Sequence, residues 1–355
     1  MDSKDILKVK NLRTYFYQSG RITRAVDDIT FDLVSGGRLG IAGQSGSGKT
    51  QTLMSIAGLV GGRPGIVSGS IIFRDGDLLS GIEKHVRLTS SDGTLRIMKD
   101  ERRWRRRLEA NYADIRGRRI GMIFQEPKSA LVPYQTVERQ MAEAADAVSN
   151  GGSAYDRDRA EWLLTRMGFK DPARILGSYP HEISGGESQR VTIGIVLQSD
   201  PDLLLADEPT SSLDAASSAE VLELLDNAAQ RDKTALILVS HNASQLSQLV
   251  DRVVVMYAGT IFETGSTGSV LSSVEGAAHP YTKQLVAAGA ARSGGTIHVT
   301  EDDKGKPTSG CPYRFNCALK GKLTAEAQNL CENERPNLIQ IEDGHFAACW
   351  GLNKN

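Results

Sequence analysis

A chain of 355 residues is long enough for two domains and for a core that needs no covalent staples. Its formal charge of −1, with 24% charged residues, gives no global field favouring nucleic acid. No apolar run approaches the roughly eighteen residues of a membrane span, and the opening MDSKDILKVK is too polar for a secretory signal. A cytosolic protein is the expectation. In that reducing setting four cysteines, all beyond residue 310, argue for a metal or cluster rather than disulfides.

Residues 6 to 17, ILKVKNLRTYFY, and 29 to 33, ITFDL, alternate apolar and polar as half-buried strands do, predicting a small antiparallel sheet. One of its aromatic rings is a candidate to stack on a purine. Phe16 is the choice, with Tyr15 and Tyr17 as rivals, against the plain alternative of a ring simply buried in the sheet.

The stretch LGIAGQSGSGKT follows. An apolar strand leads into Gly43, and Gly48, Lys49 and Thr50 complete the spacing of a phosphate-binding loop. Glycines at 43, 46 and 48, with Ser45 and Ser47 between them, let backbone N–H groups turn inward around phosphate oxygens. Lys49 supplies a point charge to the β- and γ-phosphates, and the Thr50 hydroxyl coordinates Mg²⁺. The helix expected to begin near Gly48 adds its positive end.

Gln51 to Leu59 has helical spacing, Gly69 to Phe73 reads as a strand, and an irregular polar region comes next. Within Arg96 to Arg119 stand ten basic residues against Asp100, Glu101, Glu109 and Asp114. A solvated helix is the default for such a run, and contact with anionic lipid headgroups or an acidic partner is the sharper alternative. Ile120 to Phe124 reads as a strand with Gln125 at its end. Residues 136 to 168 are periodic as helices are, with a break at Asn150-Gly151-Gly152, so about 126 to 190 is expected to form a helical subdomain.

Ser184, Gly185, Gly186 and Glu187 open another helix, whose first N–H groups form a second anion half-site. The strand Leu203 to Ala206 ends in Asp207 and Glu208. Asp207 suits the Mg²⁺ shell and Glu208 the base that orients an attacking water. After Asp214 a helix runs from about Ser217 to Ala229. The strand Ala235 to Val239 closes on Ser240-His241, and His241 lies at the C-terminal edge of a parallel sheet, where ligand sites collect. Val253 to Met256 and Thr260 to Glu263 finish the sheet.

In order and approximate spacing the phosphate loop, Gln125, Ser184-Gly185-Gly186, Asp207-Glu208, Asp214 and His241 resemble the ATP-binding subunits of ABC transporters, over roughly residues 6 to 270. The resemblance implies an α/β P-loop NTPase with a RecA-like core, an antiparallel β subdomain, a helical subdomain and a small cysteine-containing C-terminal extension, divided as 1–270 and 271–355. It implies ATP and Mg²⁺, with Thr50, Gln125 and Asp207 around the metal, Glu208, His241 and Gln125 in catalysis, and Asp214 in the nucleotide site. It also implies that two subunits sandwich two nucleotides, each Ser184 corner facing the other subunit's phosphate loop. Closure then acts on two membrane permeases through the Gln125 loop, at the cytoplasmic face of the membrane. Gln44, Glu187 and Asn242 depart from the common pattern. A carboxylate about 5 Å from a phosphate charge would cost roughly 3 kcal/mol at an effective dielectric near 20, so Glu187 is expected to point away.

The tail narrows the resemblance. His279-Pro280-Tyr281-Thr282, Gly310-Cys311-Pro312-Tyr313 and Gly344-His345-Phe346-Ala347-Ala348-Cys349 are similar to the extension of oligopeptide and dipeptide importers. There the cysteines can carry a [4Fe–4S] cluster, which assigns Cys311, Cys317, Cys331 and Cys349 as candidate ligands; zinc and free buried thiols are the alternatives. An importer of peptides or a related solute is the leading expectation, with a second, paralogous ATPase and an extracytoplasmic solute-binding protein as partners. A soluble ABC ATPase acting on nucleic acid or ribosomes is the rival, disfavoured by the single phosphate loop; a redox-sensing module is disfavoured by Glu208 and His241.

Overall fold

The computed structural model describes residues 5–18, 20–91, 94–149, 155–211, 213–290 and 309–352. Its centre is an eight-stranded sheet in the order Ile339–Glu342, His345–Ala347, Thr260–Ser266, Arg252–Tyr257, Arg38–Ala42, Ala235–Ser240, Leu203–Asp207 and Ile120–Ile123. The last five strands are parallel to one another, and the first three pair antiparallel. Runs such as LLLA and LILV suit this position, because a parallel strand is covered on both faces. Leu39, Ile41, Leu203, Leu205, Ile237 and Val239 face one apolar layer. Leu204, Ala206, Leu236 and Leu238 face the other.

Against the first layer packs the antiparallel sheet of Arg21–Val34, Asp5–Gln18, Pro64–Phe73 and Gly76–Asp77, together with the helices Lys49–Ile56 and Glu101–Tyr112. The second layer carries the helices Val137–Val148, Arg157–Arg166, Gly185–Leu197 and Ala215–Asp232. The helical periodicity from 136 to 168 thus resolves into two capped helices, with Thr136 and Asp156 as N-caps. Asn150, Gly151 and Gly152 lie outside the described residues.

One reading of the sequence is corrected and another is sharpened. The polar region before residue 96 is ordered: Val86–Ser91 pairs with Thr94–Lys99 in a separate two-stranded sheet. The basic run is for the greater part a helix with a solvated face, as the default reading has it. It begins in that hairpin and continues as Glu101–Tyr112, which buries Trp104, Leu108 and Tyr112 at i, i+4 and i+8 and leaves Arg102, Arg103, Arg105, Arg106 and Arg107 exposed. Arg116 and Arg119 are tied down, Arg116 to Glu109 and to the carbonyls of Ala57 and Gly58, Arg119 to Asp202. The sequence beyond residue 271 adds two strands to the central sheet, and the carboxylate of Glu263, fully buried, accepts from His345 Nε2 at 2.8 Å.

Candidate active site

The strand Arg38–Ala42 delivers the chain to a loop in which Gly43, Gly46 and Gly48 take φ of 153°, 72° and 106°. A Cβ at Gly43 would stand 2.4 Å from the Met256 carbonyl, and one at Gly48 2.3 Å from that of Ala25, so packing as well as backbone angle demands glycine there. Ser45 and Gly46 form the exposed tip. Lys49 is buried, its Nζ donating to the carbonyls of Gly43 at 2.8 Å and Gln44 at 2.9 Å. Burial lowers the Lys49 pKa below the ordinary lysine value, against the pull of Glu208 and Asp207.

Two strand ends converge on this loop. Thr50 Oγ1 donates to Asp207 Oδ1 at 3.1 Å, and burial raises the Asp207 pKa, opposed by that hydrogen bond. Glu208 stands 3.6 Å from Lys49 Nζ and 3.0 Å from His241 Nδ1. Its φ of 43° is unusual for a non-glycine residue and is fixed by its N–H donating to the Val239 carbonyl at 3.1 Å, a local strain of the kind that gathers at reacting centres. The His241 hydrogen bond is the largest of the influences lowering the Glu208 pKa, and the same bond raises that of His241.

These residues fit ATP and Mg²⁺. The Ser47 hydroxyl is buried without a hydrogen-bond partner inside the glycine cradle, and Lys49 rests on two loop carbonyls that it can leave for a phosphate. Thr50 and Asp207 are the pair to hold the metal. Gln125 stands exposed just beyond Ile120–Ile123. Of the three aromatic candidates, Tyr15 is buried with its hydroxyl on Asp27, and Tyr17 reaches the Ile97 carbonyl at 3.2 Å. Phe16 is half-buried beside Gly62.

The Ser184 corner has another character. Ser184 caps Gly185–Leu197 and forms a capping box with Glu187. The Glu187 carboxylate accepts from the Ser184 N–H at 2.8 Å and pairs with Arg174 at 2.7 Å, so it is turned back on its own chain, as the Coulomb argument requires. Asp214 likewise accepts from the N–H groups of Ala216 and Ser217 at 3.0 Å, and from Ser217 Oγ at 2.7 Å. A Cβ on Gly186 would meet that Ser217 hydroxyl at 3.9 Å, which places the two helix starts side by side.

The cysteines lie near one another in the C-terminal part of the chain. All four are free; Cys311, Cys331 and Cys349 are buried, and burial, reinforced by the neighbouring cysteines, pushes Cys311 up to about 12 and Cys349 up to about 11. Among the described residues no group of three or more His, Cys, Asp or Glu is placed to hold a metal ion. The [4Fe–4S] expectation thus gains no support from this arrangement.

One contact of the loop escaped the sequence. The hydroxyl of Tyr281 accepts from the Gln44 N–H at 2.8 Å. No local signal could have shown a partner so far along the chain.

Fold and site together define a P-loop ATPase. The pattern of the family described as ABC transporter matches residues 26–211. A probable peptide ABC transporter ATP-binding protein of Sinorhizobium fredii is 33% identical, over 98% of this chain and 96% of that protein. An oligopeptide transport ATP-binding protein of Bacillus subtilis, AppD, is 33% identical over 97% of this chain and 96% of its own length. The chain belongs to the ATP-binding subunits of ABC transporters and is an ATPase. The dimeric post-hydrolysis structure of the cassette MJ0796 with ADP and Pi shares the fold at a TM-score of 0.57 and 21% identity, over 74% of this chain and 98% of that one.

Proposed function

We propose that this ATPase drives the import of di- and oligopeptides. The observation that carries the solute class is the similarity over nearly the whole chain, extension included, to proteins named for peptide and oligopeptide transport. Bound ATP would supply the phosphoanhydride that water cleaves, and Mg²⁺ would offset the charge that develops on the phosphates. Lys49 holds the phosphates, Thr50 and Asp207 the metal, and Glu208 accepts the hydrogen bond of the attacking water while His241 keeps Glu208 ionised and oriented.

Residues 1–270 are taken as the ATPase domain and 271–355 as its extension. The Ser184 corner meets the nucleotide held by a second ATPase, a paralogue, with Asp214 lining that junction and Gln125 passing closure to two permeases. The subunit sits at the cytoplasmic face of the membrane; among the described residues no helix is long and apolar enough to cross one. A solute-binding protein on the far side completes the assembly. That Phe16 stacks on the adenine is supported by its partial exposure. The iron–sulfur cluster rests on the resemblance of the tail alone, and iron and sulfide analysis after anaerobic purification tests it.

Uptake of labelled di-, tri- and pentapeptides by cells lacking and regaining the chain tests the solute class. Restored peptide uptake supports it, whereas uptake restored only for a nickel complex or an oligosaccharide overturns it.

A further inference from the structure

The phosphate loop is held from behind by a residue outside the matched family region. Tyr281 lies in the helix Pro280–Ala290, is fully buried, and receives the Gln44 N–H on its hydroxyl at 2.8 Å. The carbonyl of the same peptide unit, that of Gly43, accepts from Lys49 Nζ at 2.8 Å. In a trans peptide the N–H and C=O point in opposite directions, so the two bonds clamp one plane from both sides and leave it no free rotation. That plane opens the loop, and its orientation fixes both the Gly43 turn and where the Lys49 amine rests.

Tyr281 is itself rigidly placed. Its ring packs at 4.8 Å from Tyr257 and 5.6 Å from Tyr313, centroid to centroid. The chain just before it is anchored by Glu263, whose carboxylate accepts the N–H groups of Ala278 and His279 at 2.7 Å each. Tyr313, two residues beyond Cys311, donates to Gln284 on the same helix at 2.6 Å. The C-terminal extension is thereby seated directly behind the loop.

We propose that Tyr281 is a positioning residue for ATP binding: its hydroxyl presets the Gly43–Gln44 peptide so that the loop is competent before the nucleotide arrives. Such a contact serves ground state and transition state alike, because it touches neither the γ-phosphate nor the attacking water, and uniform binding of this kind appears in KM and not in kcat. The proposal depends on the loop binding ATP and not on which solute is carried, so nucleotide affinity and peptide uptake report on the two readings separately.

The test is Tyr281→Phe in the full chain, with Tyr313→Phe beside it. The first keeps the ring and removes only the hydroxyl; the second removes a hydroxyl from the same cluster that does not touch the loop. Equilibrium MgATP binding, KM, kcat and melting temperature are read on both. Tyr281→Phe is expected to weaken MgATP binding and raise KM by about two- to tenfold, the population change one neutral hydrogen bond commands, with kcat unchanged and Tyr313→Phe like wild type. An unchanged KM in Tyr281→Phe overturns the proposal, as does an equal KM rise in Tyr313→Phe, which would mean that cluster packing alone is at work.

Discussion

The Lys49 and Ser184 helices both present backbone N–H groups at a positive helix end, yet they are built in opposite ways. Around Lys49 the chain forces the geometry: glycines at 43 and 48 are demanded by neighbouring carbonyls, the lysine is buried, and Ser47 is left with an unmet hydroxyl. Around Ser184 the chain is content with itself. Glu187 closes the capping box, Gly185 is exposed with nothing within 4 Å of a Cβ, and Gly186 meets only Ser217 at 3.9 Å. No packing in the described chain requires glycine at these two places. A site that is strained and unsatisfied is ready to take a charged ligand alone, whereas an open one gains meaning when something approaches from outside. This contrast supports the reading in which the second corner serves a neighbouring subunit.

Replacing Glu208 with Gln probes the catalytic side of the contrast and has the largest expected effect. Turnover should fall by about 10²–10⁴, the usual worth of a positioned base, with a nucleotide-bound dimer accumulating on size exclusion. Survival of turnover removes Glu208 from that role. Next come Lys49→Ala and Ser184→Ala together. Lys49→Ala should weaken MgATP binding to the single chain by about 10- to 100-fold, as the loss of a charge-assisted hydrogen bond predicts. Ser184→Ala should leave single-chain binding near wild type while impairing ATP-dependent association. If both variants lose single-chain affinity equally, the division between the two half-sites fails.

The smallest effect concerns pH. Because the His241 hydrogen bond is the foremost cause lowering the Glu208 pKa, Glu208 stays ionised to lower pH than an ordinary glutamate. Its stabilising contribution is therefore present above the usual carboxylate pKa and lost as pH falls through the lowered one. His241→Gln should move the acid limb of the ATPase profile toward neutral pH. An acid limb that does not move would show that Glu208 owes its ionisation to Lys49.

Much of this was readable in the linear chain, for a physical reason. Phosphate binding needs closely spaced residues, so Gly43 to Thr50 announces itself, as does the apolar run ending in Asp207 and Glu208. The Ser184 cap and its Glu187 partner are also local, three residues apart. The hairpin Val86–Ser91 with Thr94–Lys99 does alternate, in Val86-Arg87-Leu88-Thr89 and Leu95-Arg96-Ile97, but over runs too short to stand out from the polar and charged residues around them. The basic run is read as a helix with a solvated face, and packing adds that Trp104, Leu108 and Tyr112 bury its other side.

By itself the sequence determined that the chain binds and hydrolyses a nucleotide, because the groups that handle phosphate and metal are set by covalent spacing along single loops. Tertiary structure alone decided that Glu208 lies between Lys49 and His241, that Thr50 meets Asp207, and that Tyr281 supports the loop. Those contacts join residues far apart in the chain, and their partners are selected by sheet order, which leaves no periodic trace in the order of amino acids.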